Sequence, residues 1–333
     1  MPKVSICVPL YNADKYLEKS ATSVFNQTLD DLEFVFVDDS STDSSVALLN
    51  KVIDRYPALG NRVKLITHSK NKGPGEARKT ALMAATGDYV YFPDADDFLE
   101  SQMMELMYEA AICQHADIVV CQVDVLTPDG TQFLENEVTS YTDREWLDHL
   151  FQGKAIALWW RMMRRELVLK SIEGETFNGL IRFEDYLLTL KCHYHAKHVV
   201  GISQVLYHKN QMNDKSLTHT ISLAAVESAE RVGKRISEFA KQVSIYDKYK
   251  VSIDTFRYFG VYPYAFSVEY WNPQKWRETI IDVNLCNVEM SKSIGRRLFQ
   301  NIVAKLLVSK HDKMAYKLIT TCKYLEKVKL QTQ

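Results

Sequence analysis

The chain is 333 residues long, 46% hydrophobic and 25% charged, with 12 glycines and 8 prolines; these proportions exclude disordered, collagen-like and small disulfide-stapled architectures. A net charge of −1, from 41 basic and 42 acidic residues, gives no global case for a nucleic-acid partner. A membrane-spanning helix needs about 20 apolar residues, and the longest uncharged apolar stretch, Tyr258 to Val268, is short and broken by Pro263, so no such helix is predicted.

The first ~110 residues alternate strand and helix patterns. Val4 to Pro9 reads as a buried strand that follows Met1-Pro2-Lys3 at once, with no room for a secretory signal. Ala13 to Asn26 carries its apolar residues at helical spacing. Glu33 to Val37 is a second strand, ending in Asp38-Asp39, with a helix over Ser44 to Arg55. Val63 to Ile66 and Tyr89 to Phe92 are the third and fourth strands, separated by a helix over Gly75 to Ala85. This order predicts an α/β fold with a mostly parallel sheet covered on both faces, where ligands bind beyond the carboxyl ends of the strands. Three strands end in polar clusters: Tyr11-Asn12, Asp38-Asp39-Ser40 and Asp94-Ala95-Asp96-Asp97.

Ala116 to Leu126 reads as a long strand, Thr142 to Phe151 as a helix, and a further helix begins near Phe183, after an aromatic and basic stretch at Trp159-Trp160-Arg161. From about Ile221 the pattern is helical, with candidates over Leu223 to Val243 and Val251 to Tyr258. The organisation expected is an α/β domain over 1–220 and a helical region over 221–333. The six cysteines, Cys7, Cys113, Cys121, Cys192, Cys286 and Cys322, lack metal-ligand spacing and read as reduced core thiols of a cytoplasmic protein.

Three carboxylates packed directly behind an apolar strand repel one another unless compensated. A hard divalent cation shared with a nucleotide diphosphate supplies that compensation; a helix N-cap by Asp96 or Asp97 is the competing reading. The cluster stands with three other blocks: Val4 to Asn12, Val37 to Asp43, and the glycine-bearing turn Asn71-Lys72-Gly73-Pro74-Gly75-Glu76-Ala77-Arg78. In this order the blocks resemble the family 2 glycosyltransferases, inverting nucleotide-sugar enzymes of the GT-A fold. The likeness continues through Trp159 to Leu167, Phe177 to Asp185, Tyr207-His208 and Lys215 to Thr218. Ser40, Lys79 and Pro93 depart from it, standing where Gly, Asn and Leu are usual.

The resemblance implies a UDP-sugar donor, a divalent cation (Mn²⁺ or Mg²⁺), and a glycan or lipid-linked glycan acceptor in bacterial surface polysaccharide or lipooligosaccharide synthesis. It implies that Pro9, Tyr11, Asp39, Arg78, Asp94 and Ala95 surround the donor nucleotide. Tyr11 would pack on the base, Asp39 accept from the uracil N3–H, and Arg78 neutralise diphosphate oxygens. Asp96, with Asp94 and His208, would hold the metal. Asp97 would be a cap or supporting residue, and Trp159 could stack on an acceptor sugar. Inverting transfer needs one base and no protonated acid, because the leaving diphosphate is stabilised as an anion; the resemblance makes Asp185 that base, supported by Glu184.

A dinucleotide dehydrogenase would need a G-x-G-x-x-G turn after the first strand, which Pro9-Leu10-Tyr11-Asn12 is not. A metal-dependent nucleotidyltransferase and a non-catalytic sugar-nucleotide-binding subunit are the remaining alternatives. Residues 291–333 hold ten Lys/Arg against Asp312 and Glu326. Leu298-Phe299, Ile302-Val303 and Leu306-Leu307 form an apolar helical stripe, with Arg296, Arg297, Lys305 and Lys310 beside it. Such a helix either lies on an anionic membrane surface, making the protein peripheral to the inner face of the cell membrane, or packs against the GT-A domain.

Overall fold

The computed structural model of the chain describes residues 1–127, 130–134, 140–142, 145–152, 156–212, 222–267, 269–283, 288 and 294–331. The chain divides into two compact units, Met1–Thr220 and Ile221–Gln333. In the first, β1 (Val4–Leu10), α1 (Asp14–Phe25), β2 (Leu32–Asp38), α2 (Ser45–Ile53), β3 (Val63–Thr67), α3 (Pro74–Ala84) and β4 (Tyr89–Tyr91) follow the expected alternation. Then come β5 (Phe98–Leu99), α4 (Met103–Cys113), β6 (Ile118–Thr127), β7 (Gly130–Leu134), β8 (Ser140–Thr142), α5 (Glu145–Phe151), β9 (Arg161–Arg164), α6 (Arg165–Ser171), α7 (Glu184–His195) and β10 (His198–Asn210).

The sheet runs β3-β2-β1-β4-β9-β6-β10-β5, with β7 beside β6 and β8 beside β10. Strands β3, β2, β1 and β4 are parallel to one another, and the near-continuous apolar runs of β1, β2 and β4 are buried on both faces. Beyond β4 the sheet is mixed, which corrects the mostly parallel expectation. β9 inserts between β4 and β6 and is antiparallel to both. Only Met162 and Met163 separate its flanking arginines, so no strand period is visible there, yet both methionines and Arg161 are fully buried.

At the opening edge of the sheet, buried Glu33 accepts from Ser5 Oγ (2.5 Å), Thr86 Oγ1 (2.9 Å), the Gly87 amide (3.1 Å) and Lys64 (3.0 Å). The start of β4 is thereby fixed against β1 and β2. The connections β1 to β2 and β2 to β3 run one way along the sheet and the connection β3 to β4 returns past β1, so the strand order reverses at β1, where such sheets form a crevice beyond the strand ends. Cys7, Cys121 and Cys192 are buried free thiols, but Cys113 is exposed on α4, which corrects the core assignment for that residue; Cys286 lies outside the described residues.

The second unit comprises α8 (Leu223–Gln242), α9 (Tyr246–Phe266), α10 (Pro273–Asp282), α11 (Ile294–Val308) and α12 (Asp312–Gln331). Ser222 and Asn272 cap α8 and α10 by accepting the amides of Ala225 and Lys275. α9 overruns the expected Val251 to Tyr258 at both ends and runs through Pro263, ending three residues beyond it at Phe266. The apolar stripe of α11 splits. Val303 and Leu307 are buried with Tyr258, Phe266 and Trp276, and Phe299 and Leu306 pack against them. Leu298 and Ile302 instead stay exposed, at 61% and 43%. Among the described residues no helix is long and apolar enough to cross a membrane.

Candidate active site

The loops after β1 and β2 lock to each other. Asn12 Oδ1 accepts the Thr42 amide (2.8 Å), and the Asn12 amide donates to Ser41 Oγ (3.1 Å). Asp38 Oδ1 accepts the Ser41 amide at 3.0 Å, and Ser40 between them has φ +65°. That conformation disfavours a side chain, so Ser40 is a strained substitution where a glycine would rest. Tyr11 projects from this loop, 49% exposed. Pro9 lies in the β1 ladder opposite Val37.

Asp39 is buried beneath the glycine-bearing turn. Its carboxylate receives the Lys72 amide (2.9 and 3.1 Å), the Gly73 amide (2.7 Å) and His68 Nδ1 (2.7 Å). His68 Nε2 in turn meets Thr80 Oγ1 at 2.9 Å. Asp39 therefore holds the turn that opens α3, and a ligand N–H would share an oxygen already in use. The glycines have a steric reason. A Cβ on Gly73, at φ +93°, would stand 2.8 Å from the Leu180 carbonyl, and one on Gly75 would stand 2.6 Å from Phe177 Cβ and 2.9 Å from Glu184 Cγ. The turn packs flush on the segment that leads into α7.

Arg78, one turn further along α3, joins the two carboxylate motifs. Its Nη1 donates to Glu184 Oε1 (2.7 Å) and its Nη2 to Asp94 Oδ1 (2.8 Å), and the guanidinium is nearly buried. Residues 16 and 106 positions away in sequence thus meet through one side chain. Burial opposes the guanidinium's charge, but Asp94, Glu184 and Asp185 outweigh it and keep Arg78 protonated. One cation cannot balance three acids. Burial and Asp185 push Glu184 up to about 7, against the pull of Arg78, and burial also raises Asp185 despite Arg78 and the Tyr186 amide. Asp185 is only half-buried. Both carboxylates open α7 directly after Phe183, whose φ of +64° is an uncommon conformation for an aromatic residue.

The turn after β4 presents Asp94 and Asp96, both half-buried, around buried Ala95. Asp97 points inward, accepting Tyr207 Oη and the Asn210 amide (2.7 Å), and its pKa is raised well above the usual range by burial, then by Asp96 and Asp94. This is the supporting place expected of it. Among the described residues no three His, Cys, Asp or Glu side chains gather to hold a metal by themselves. Two carboxylates on one turn fit a hard cation that completes its shell with phosphate oxygens and water.

His208 is not brought to Asp94 and Asp96. Neighbouring strand residues face opposite sides, and Tyr207 faces the turn. His208 lies between Asp124 Oδ1 (2.6 Å) and Glu100 Oε1 (2.8 Å) and stacks on Phe98. Trp159 lies with its ring on Tyr207, centroids 4.8 Å apart, and Lys209 Nζ stands 5.0 Å from its centre.

Two further features escaped the sequence reading. His68 immediately follows β3, a fourth strand end that carried no acid to draw notice. Arg161, fully buried, donates from Nε to His193 Nε2 (3.1 Å). Burial lowers Arg161 to about 9, opposed chiefly by Asp185. Burial and Arg161 keep His193 neutral.

The family model for "Glycosyl transferase family 2" matches residues 5–171, half of the chain and every strand from β1 to β9. The chain belongs to glycosyl transferase family 2. It is 26% identical over 265 residues to the putative glycosyltransferase EpsH of Bacillus subtilis, covering 77% of this chain and 74% of EpsH. It is 33% identical over 226 residues to EpsJ of the same organism, an uncharacterized glycosyltransferase, covering 66% and 63%. Among solved structures, S. aureus TarS 1–349 in complex with UDP-GlcNAc superposes with a TM-score of 0.70 at 19% identity, over 97% of this chain and 92% of that one. The Pyrobaculum calidifontis mannosyltransferase PcManGT, in complex with GDP-Man and Mn²⁺, gives 0.52 at 16% identity, over 96% and 84%. These likenesses establish the GT-A fold.

Proposed function

We propose that the chain transfers a hexose or N-acetylhexosamine from a UDP-sugar to a glycan acceptor, with inversion at the anomeric carbon, in surface polysaccharide or lipooligosaccharide synthesis. The observation that carries this reading is Arg78, which ties the turn bearing Asp94 and Asp96 to the α7 acids Glu184 and Asp185. A donor turn and a base belong to one site. The UDP-GlcNAc complex of TarS supports the uridine donor.

In this reading Tyr11 covers the base, and Asp39 holds the 71–73 turn against the uridine. Asp94 and Asp96 hold a Mn²⁺ or Mg²⁺ ion, which when bound offsets the charge of the leaving diphosphate. Asp185 accepts the acceptor hydroxyl's proton as that oxygen attacks the anomeric carbon. Burial raises its basicity without removing it from solvent. Glu184 stays fixed by Arg78. A second acid is not required, because the diphosphate leaves as an anion. Trp159 lies on the acceptor side.

A donor screen that follows nucleoside diphosphate release tests the reading: a UDP-sugar should be turned over in the presence of Mn²⁺ or Mg²⁺. Release of pyrophosphate instead would make the protein a nucleotidyltransferase, and absence of turnover or binding with every UDP-sugar would reject the proposal.

The membrane association reads from α11 and α12, where exposed Leu298, Ile302, Val308 and Met314 accompany exposed Lys305, Lys310, Lys313 and Lys317. Such a surface suits an anionic bilayer, each cation adding about 1 kcal/mol. Salt-sensitive sedimentation with anionic vesicles supports this placement; a protein that stays in the supernatant at low salt rejects it.

A further inference from the structure

The strand end of β10 grips the turn after β4 at four points. The Asp94 amide donates to Tyr207 Oη (3.3 Å), and Tyr207 Oη donates to Asp97 Oδ2. The Asn210 amide donates to Asp97 Oδ1 (2.7 Å), and Asn210 Nδ2 donates to the Asp96 carbonyl (3.2 Å). Every residue of the acidic turn except Ala95 is therefore held by Tyr207 or Asn210. Tyr207 is itself fixed. It is fully buried, and its ring stacks on Trp159 at an interplanar angle of 14°. Trp159 is held in turn, its carbonyl accepting Tyr91 Oη at 2.5 Å.

The chain gives this arrangement a mechanical purpose. Asp94 and Asp96 would otherwise sit on a loop whose three carboxylates repel one another, and β5, which follows, has only two residues. A phenol that accepts from one amide of the turn and donates to its buried carboxylate fixes the loop from behind.

We propose that Tyr207 is a positioning residue that sets the spacing of Asp94 and Asp96 through its hydroxyl, and that its stack on Trp159 couples this turn to the acceptor side. This rests on the reading of Asp94 and Asp96 as the turn that binds cation and nucleotide.

The test uses the full-length chain with Tyr207→Phe, which keeps the ring and its stack and removes only the hydroxyl, and Asp97→Asn, which alters the same bond from the other end. Amide hydrogen exchange in the absence of nucleotide reads the effect directly. At Asp94, whose amide donates to Tyr207 Oη, exchange should accelerate about tenfold or more in Tyr207→Phe, as expected from the loss of one to two buried hydrogen bonds, while the β1 and β2 amides keep their wild-type rates. Titration with UDP and Mn²⁺ should show about tenfold weaker binding in Tyr207→Phe, and the KM for donor should rise more than kcat falls. A merely structural tyrosine would lower the active fraction, and with it kcat, leaving KM and the UDP affinity unmoved. Wild-type exchange at Asp94 in folded Tyr207→Phe, or UDP affinity of that variant within twofold of wild type, overturns the role of Tyr207. Wild-type protein that binds no UDP with Mn²⁺ removes the underlying reading, whatever Tyr207 does.

Discussion

The acids of this site are held in two opposite ways. Asp39 is saturated: two amides and His68 point at its carboxylate, and it serves as a finished joint between β2, β3 and the opening of α3. Asp94, Glu184 and Asp185 surround Arg78, and burial, with Asp185 alongside, holds the proton on Glu184 to about pH 7. Chemistry needs the second kind of environment. A carboxylate whose oxygens are already engaged stays where it is, whereas a group with too little positive charge has a place for more.

The difference can be broken at its most reactive member. Asp185→Asn removes the proposed proton acceptor and leaves Arg78, Asp94 and Asp96 in place. Transfer should fall by at least ~10²-fold, towards ~10⁴-fold, with UDP affinity retained. Near-normal transfer in the purified variant would move the base to Glu184.

Arg78→Met strikes the shared cation. It leaves Glu184 buried opposite an apolar side chain, and a broken buried pair costs about 3 kcal/mol or more. Asp39→Asn, by contrast, keeps an acceptor oxygen for the turn amides and should cost about 1–2 kcal/mol, one charge-assisted bond weakened. Denaturant unfolding of the two variants checks the order. Equal losses would mean that the two environments do not differ as described.

The Glu184 proton also has a pH signature. Glu184 binds its proton more tightly folded, near 7, than its ordinary value of 4.5, so its contribution to stability is complete below about pH 4.5 and is lost as the pH rises through 7. The melting temperature of wild type should therefore decline between pH 5 and 8 relative to that of Glu184→Gln, which cannot ionise. Parallel curves would show that Glu184 is ionised throughout.

The smallest effect lies in the saturated half. Ser40 carries a positive φ next to Asp39, and replacing it by glycine relieves a conformation that costs a side chain about 1–2 kcal/mol, partly offset by glycine's own entropy. Ser40→Gly should stabilise the protein by about 0.5–1 kcal/mol in the same unfolding experiment.

What could be read from the sequence follows from whether the signal is local. β1 to β4 and α1 to α3 show themselves because apolar runs and helical spacing each need only neighbouring residues, and the acids at Asp38-Asp39 and Asp94 to Asp97 sit where those runs end. β9 did not, since two methionines between arginines carry no period, and its burial is supplied by β4 and β6. The meeting of Arg78 with Glu184 spans 106 positions, and no spacing rule reaches that far; only the resemblance suggested that the two belonged together. His208 misled for the opposite reason. It adjoins Tyr207 in the sequence, and adjacency along a strand places two side chains on opposite faces. The stripe on α11 was correctly periodic, but period alone does not say whether an apolar face meets lipid or the core, and Val303 and Leu307 meet the core.

The central claim is that Arg78 unites a donor turn with a separate base, so the two can be uncoupled. Titration with UDP and Mn²⁺ of wild type, Asp96→Ala and Asp185→Asn, alongside transfer by each, tests this most directly. Asp96→Ala should lose cation-dependent UDP binding and transfer together, whereas Asp185→Asn should bind UDP as wild type does and fail to transfer. Asp96→Ala binding UDP as tightly as wild type, or Asp185→Asn losing binding and transfer in equal measure, would contradict the account.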